Sequence, residues 1–380
     1  MKDLSEIRQK IDQIDDELSQ LYLKRMALSS EVAESKKQSG KPIWDSEREN
    51  KIVYRLSQKA PSDMTLFLKE LYSTIFYTSR AYQSKLINQS SKTVARLEEL
   101  LNDEFASFPV SASVACQGVK GANSGIAAEK LFPVSDITYF KDFEGVFGAV
   151  EKGFCEYGVL PIENSTAGSV SEVYDLMKKH NFYIVRSVRV RVDHCLCGVT
   201  NTDISKVKKV ISHPQALSQC AEYLKNLKVE TESAENTAIA GKLVAELNDP
   251  TVCALCSSEC AESYGLKIIE KSVQDSINNF TRFICISKDL KIYKGADRIS
   301  VMTGLSHKPG SLNRVLSRFS ALGLNLTKIE SRPIANSEFE FMFYFDFEGD
   351  VKDIEVKNVI SELENGSDKF VFLGSYKEVL

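Results

Sequence analysis

The chain has 380 residues, 43% of them hydrophobic and 26% charged, with a formal net charge of −4 at pH 7. That composition excludes a disordered chain, argues against nucleic acid as the main partner, and leaves room for roughly two or three domains with their own cores. No apolar run approaches the ~20 residues of a membrane span, and the charged, amphipathic start does not read as a secretory leader, so a cytoplasmic protein is expected.

Residues 1–90 read as three helices. Leu4, Ile7, Ile11, Ile14, Leu18, Leu21, Leu28 and Val32 alternate by three and four, as the seam of a long amphipathic or coiled-coil helix does. Gly40-Lys41-Pro42 ends that helix. A second starts at Asp45 or Ser46 and runs to about Lys59, and a third runs from about Met64 to Asn88. Helices this unequal do not enclose a core alone, so an intertwined helical dimer is expected. Polar groups interrupt the apolar faces. Arg25 falls on the seam and shares a face with Lys36, three turns on. Asp45, Arg48 and Glu49 form one stripe at i, i+3, i+4. In the third helix the stripe of Leu68, Tyr72 and Ile75 continues into Ser79 and Gln83. Buried charges are costly unless paired. Here cations outnumber carboxylates, which leaves capacity for an anionic guest; a register-setting salt-bridge network is the alternative. Arg8 lies about 25 Å of helix before Arg25 and would reach the same pocket only from a second subunit.

Residues 91–111 read as a helical connector. Residues 112–290 then alternate short β-branched runs with helices, among them SVACQ, DITYF, YGVLPI, FYIVRSVRV, KVKKVIS, TVCALC and FTRFICIS. This is an α/β pattern with a largely parallel sheet, long enough for two lobes around a cleft. VLPIENSTAGSV carries Glu163, Asn164, Ser165 and Thr166 into a helix start suited to an anion; an ordinary capped turn is the alternative. ISHPQALSQC repeats the theme with Ser212, His213 and Gln215. NNFTRFICIS sets Asn279, Thr281 and Arg282 at a strand entry, with Thr281 and Phe283 on one face and Arg282 on the other. The Gly-rich turn CQGVKGANSG matches no nucleotide motif. Nine cysteines, an odd number, do not read as a disulfide framework. Cys253, Cys256 and Cys260 lack the further ligand a tetrahedral metal site needs and read as small core residues. Residues 297–376 follow the order βαββαβ.

These segments resemble known families. IRQKIDQIDDEL, KRMALSSEVAESK, DSEREN and SRAYQ resemble the all-helical chorismate mutases. The resemblance implies that Arg8 of the partner chain and Arg25 grip two carboxylates. Lys36 and Gln83 would donate to the breaking ether oxygen, Glu49 would hold the substrate hydroxyl, and Asp45, Arg48 and Ser79 would complete the pocket. ENS, SHPQA and N-x-T-R-F in this order resemble prephenate dehydratase, which implies a periplasmic-binding-protein-like pair of lobes. Thr281 would then be the main catalytic group, and Glu163, Asn164, Ser165, Thr166, Ser212, Gln215, Asn279, Arg282 and Phe283 would bind substrate. HKPGSLNRVLSRF and KIESRP resemble an ACT domain, a ferredoxin-like regulatory module. This implies phenylalanine binding between two chains at Pro309, Gly310, Ser311, Leu312, Glu330, Ser331, Arg332 and Pro333. The whole chain resembles bifunctional chorismate mutase/prephenate dehydratases, which implies chorismate and prephenate as substrates, L-phenylalanine as feedback inhibitor, no metal or organic cofactor, and a homodimer or homotetramer. Two other readings stay open: a dehydratase whose helices only hold a dimer together, and a small-molecule-binding regulator without turnover.

Overall fold

The computed structural model describes residues 3–41, 43–87, 91–102, 104–276, 278–305, 307, 310–333, 341–367 and 369–380. The chain opens with α1 (Leu4–Ser39), α2 (Ser46–Ser57) and α3 (Thr65–Ile87). Asp3 caps α1, and Gly40 ends it at φ +65°, a left-handed conformation glycine adopts without strain. The Asp45 carboxylate caps α2 by accepting from Arg48 N at 2.9 Å. Helix α1 packs on α3 through its C-terminal half, burying Ser29 and Ala33. Its leucine seam stays open to solvent.

The connector forms α4 (Lys92–Leu101), but it belongs to a core rather than to a linker. Val94 and Leu97 are buried among Val356, Val359, Ile360 and Leu363 of the C-terminal module.

The α/β region is built as two lobes. Lobe 1 holds β1 (Ser111–Gln117), α5 (Asn123–Leu131), β2 (Val134–Phe140), α6 (Phe143–Glu151), β3 (Tyr157–Asn164), β4 (Gly168–Ser169), α7 (Ser171–His180) and β5 (Tyr183–Arg191). The chain crosses into lobe 2 through residues 192–194. There it forms β6 (Cys195–Gly198), β7 (Lys209–Ser212), α8 (Pro214–Gln219), α9 (Ala221–Leu227), β8 (Glu230–Ser233), α10 (Thr237–Leu247), β9 (Val252–Cys256), α11 (Ser258–Ser263) and β10 (Lys267–Glu270). Residues 271–279 return it to lobe 1 as β11 (Phe280–Ser287). The sheets are mixed rather than largely parallel. The returning β11 enters between β3 and β5 and runs antiparallel to both, and β6 runs antiparallel to β9 and β10. All nine cysteines are free and buried, as small core residues are.

The C-terminal module is β12 (Arg298–Leu305), α12 (Ser311–Ala321), β13 (Leu326–Pro333), β14 (Phe341–Glu348), α13 (Ile354–Asn365) and β15 (Phe370–Val379). Its strand order β13-β14-β12-β15 continues into lobe 1, because the end of β15 pairs in parallel with β5. Gly374 permits the crossing: a Cβ there would lie 2.1 Å from Ile184 O. Among the described residues, no helix is long and apolar enough to cross a membrane.

Candidate active sites

The first polar pocket lies between α1 and α3. Arg25 Nη1 donates to Ser79 Oγ at 2.5 Å, Ser79 and Ser29 share a hydrogen bond of 2.8 Å, and the guanidinium lies 5.6 Å from the Phe76 ring centroid. Gln83 is buried on the same stripe, and its Oε1 has no hydrogen-bond partner among the described residues. Lys36 stands two turns of stripe beyond Ser29, half-buried, with its Nζ donating to Ile43 O. Burial lowers its pKa from the usual 10.5; the Asp45 and Glu49 carboxylates oppose that shift and Arg80 adds to it. Glu49 is ion-paired with Arg80, a residue the sequence reading passed over although it sits beside Ser79 in SRAYQ. Arg48 and Arg8 are exposed, and Asp45 is the α2 cap. Among the described residues, neither Arg25 nor Lys36 has a carboxylate within ion-pair distance.

The second site lies where lobe 1 meets lobe 2. The Asn164 side chain, at the end of β3, is its centre. Asn164 Nδ2 donates to Thr281 Oγ1 at 2.9 Å and to Asn279 Oδ1 at 2.8 Å. Asn164 Oδ1 accepts from Thr166 N at 3.0 Å and Ala167 N at 2.9 Å, and Gln215 Nε2 reaches it from lobe 2 at 3.4 Å. Ser165 Oγ ties the segment down by donating to Asn278 O and accepting from Phe280 N, each at 3.0 Å. His213 caps α8: its Nδ1 accepts from Gln215 N at 3.2 Å, and burial lowers its pKa, so the neutral ring carries its proton on Nε2. The Gly-rich turn packs against lobe 2, where a Cβ on Gly121 would lie 2.8 Å from Cys260 Cα.

Four residues expected to line this site do not. Strand alternation turns Arg282 and Glu163 to the opposite face of the sheet from Thr281 and Asn164. There Arg282 Nε lies 2.9 Å from Glu163 and its Nη2 2.5 Å from Asp346 of β14. Ser212 is fully buried and donates to Leu255 O at 2.7 Å. Phe283 is core, packed with Val185, Val188 and Val190. In their place the structure brings in Gln219, one turn after Gln215 on α8. Its Oε1 accepts from Asn279 Nδ2 at 2.9 Å. The i, i+4 spacing of the two glutamines was the signal for it.

On the C-terminal module, Gly310 precedes α12 at φ +79°, Ser311 Oγ accepts from Arg314 Nη2 at 2.9 Å, and Leu312 packs on the module core. Pro309 lies outside the described residues. Along β13 the residues alternate: Ser331 and Pro333 are exposed, whereas Glu330 and Arg332 turn to lobe 1. Glu330 accepts from Ser169 Oγ at 2.6 Å, and Arg332 donates to Ser171 Oγ at 2.7 Å and Asp175 at 2.9 Å.

Comparison with known proteins agrees with this division. Residues 7–84 match the family model of chorismate mutase type II, and residues 114–291 that of prephenate dehydratase. The bifunctional chorismate mutase/prephenate dehydratase of Escherichia coli (strain K12) is 31% identical over 382 residues, covering 97% of this chain and 95% of that one. Arogenate dehydratase/prephenate dehydratase 2, chloroplastic, of Arabidopsis thaliana is 38% identical over 275 residues, 69% of this chain and 72% of its own. The crystal structure of prephenate dehydratase from Arthrobacter aurescens in complex with L-Phe superposes with a TM-score of 0.64 at 25% identity, covering 70% of this chain and 89% of that one. With the helical pocket and the two-lobed site on one chain, and a relative alike over nearly its whole length, the protein belongs to the bifunctional chorismate mutase/prephenate dehydratase family.

Proposed function

We propose that the pocket between α1 and α3 rearranges chorismate to prephenate, and that the cleft around Asn164 then converts prephenate to phenylpyruvate. One observation carries the first assignment: two cations, Arg25 and Lys36, share a half-buried pocket without a carboxylate partner among the described residues. Arg25 grips a substrate carboxylate. Lys36 and Gln83 donate to the ether oxygen as its bond breaks, and a rearrangement of this kind needs no nucleophile or base. Glu49 takes the substrate hydroxyl, with Asp45, Arg48 and Ser79 at the pocket edge. The seam from Leu4 to Leu21 is between 39% and 61% exposed at its apolar positions, which supports a second copy of the helix lying along it. That copy brings its own Arg8 to the pocket.

In the cleft, Thr281 Oγ1 already accepts a hydrogen bond from Asn164, so its own O–H is left to donate. The bond to the leaving carboxylate breaks to give CO2, its electron pair completes the aromatic ring, the ring hydroxyl departs with the Thr281 proton as water, and solvent returns a proton to the Thr281 oxygen. Asn164, Ser165, Thr166, Gln215 and Asn279 hold the substrate and Thr281 in register. Prephenate is the substrate the chain supplies to itself. Phenylalanine binding at Gly310, Ser311, Leu312 and the Glu330–Pro333 strand would close a feedback loop, the C-terminal module serving as an ACT-type sensor.

Product analysis after adding chorismate tests the reading. Prephenate and phenylpyruvate are expected; neither product would leave only a binding protein. Arg25→Ala is expected to remove mutase activity and spare dehydratase activity, and Thr281→Ala to do the reverse. Equal loss of both in Arg25→Ala would reduce the helices to a dimerisation device. For the sensor, titration calorimetry with phenylalanine is expected to give heat, and none up to millimolar levels would retire it.

A further inference from the structure

We propose that His194 is a positioning residue for the dehydratase step, acting at a distance by fixing the orientation of the Gln219 and Asn279 side-chain amides that back Asn164; this rests on the assignment of Thr281 above. His194 lies in the crossover from lobe 1 to lobe 2 and is 4% exposed. Its backbone is pinned to the returning crossover, with N donating to Gln274 Oε1 and O accepting from Val273 N, both at 2.9 Å. Its Nε2 lies 3.0 Å from Gln219 Oε1. An amide oxygen only accepts, so Nε2 carries the proton.

The same Gln219 oxygen accepts from Asn279 Nδ2. With its amide nitrogen committed there, Asn279 presents Oδ1 to Asn164, and Asn164 in turn presents Nδ2 to both Asn279 and Thr281. Each amide has two different ends, so reversing Gln219 reverses Asn279. If Gln219 turned its nitrogen toward Asn279, two donors would meet and Asn279 would invert; its nitrogen would then face Asn164 Nδ2, which cannot turn away because Asn164 Oδ1 is held by Thr166 N and Ala167 N, and this repulsion would strain the Asn164–Thr281 hydrogen bond. The imidazole N–H is the group that holds the Gln219 oxygen in place at the start of the series. Asn279 is 2% exposed, so water does not readily substitute for a lost partner.

The test measures kcat and KM for prephenate, mutase rate and melting temperature in His194→Phe and His194→Gln. Phe fills the space without a donor, and Gln restores an N–H. For His194→Phe a roughly tenfold lower dehydratase kcat is expected, about the rate equivalent of one hydrogen bond. KM should stay within about threefold and the mutase rate should not change, while His194→Gln recovers most of kcat. Gln219→Leu is expected to give the same loss, and the double variant to be no worse than either single one. A wild-type kcat in His194→Phe, with Thr281→Ala inactive, would overturn the role of His194 and leave that of Thr281 standing. A fully active Thr281→Ala would instead remove the assignment on which it rests. Parallel loss of melting temperature and mutase rate in both His194 variants would mean packing alone and would also overturn it.

Discussion

Lys36 is the titrating group on which the proposed chemistry of the helical pocket turns. Its partial burial lowers the ammonium pKa below 10.5, and the nearby carboxylates of Asp45 and Glu49 only partly offset this. In the proposed rearrangement the protonated form is the one that donates to the ether oxygen. A lowered pKa means that this form is lost at a lower pH than in an exposed lysine. Mutase kcat/KM is therefore expected to fall on an alkaline limb below pH 10.5, which a rate profile in chorismate would record. Lys36→Arg should carry the limb to higher pH, because a guanidinium holds its proton through that range. The dehydratase limb should stay where it is. Lys36→Ala removes the donor altogether, with a loss of about 10²–10³ in mutase kcat by analogy with other oxyanion donors. An alkaline limb that does not move in Lys36→Arg would assign it to another group.

Strand β11 shows what an element's pattern reveals and what it hides. Its alternation placed Thr281 and Arg282 on opposite faces in advance. It did not say what Arg282 would meet there, because Asp346 is 64 residues away on a different sheet module and only the joining of β15 to β5 brings the two together. The helices were legible for a related reason. Their apolar repeats, the Gly40 stop and the Asp45 cap are local signals. Strands β6, β8 and β10 were not, since each has four residues, too few to display alternation, and β8 is exposed along its length. Sheet direction was misjudged because the return of the chain from lobe 2 is a tertiary event. The cleft was legible by type but not by selection: Ser212 and Phe283 sit in the right segments, facing inward. The Arg282 joint makes its own prediction. Its side chain is 8% exposed and that of Asp346 10%, so Asp346→Ala leaves a buried guanidinium with Glu163 as its remaining carboxylate. A loss of ~3–5 kcal/mol is expected in urea unfolding of the two-lobed and C-terminal unit. Asp346→Leu with Arg282→Met should cost less than Asp346→Ala, since no charge is stranded. An unchanged midpoint in Asp346→Ala would mean that the pair is not desolvated as placed.

At the scale of the whole molecule, the C-terminal module touches both catalytic units through different side chains. Glu330 and Arg332 reach the Ser169–Asp175 segment of lobe 1, directly after the ENST turn. On the other side, the Arg314 guanidinium of α12 lies 5.9 Å from the Trp44 ring, in the loop that precedes α2. Burial lowers the Arg314 pKa, the neighbouring cations Arg80 and Arg318 lower it further, and Glu49 opposes them, which places Arg314 in the electrostatic field of the mutase pocket. The same guanidinium donates to Ser311, at the start of the helix proposed to hold phenylalanine. One side chain thus lies between the proposed effector site and the mutase pocket. Coupling of two sites requires that the effector bind one arrangement of such a contact better than another. Arg314→Ala is accordingly expected to weaken the response of the mutase to phenylalanine by several-fold in half-inhibitory concentration, within the ~5–150-fold span of typical coupling energies. Inhibition of the dehydratase in the same protein should be nearly unchanged. Asp175→Ala, which cuts the Arg332 contact with lobe 1 and leaves the strand proposed to hold phenylalanine intact, is expected to do the converse. Inhibition curves for both activities, measured on each variant, decide the matter: if the two responses move together in both variants, a single concerted rearrangement of the module carries the signal, and the separate routes through Trp44 and through Ser171 and Asp175 are ruled out.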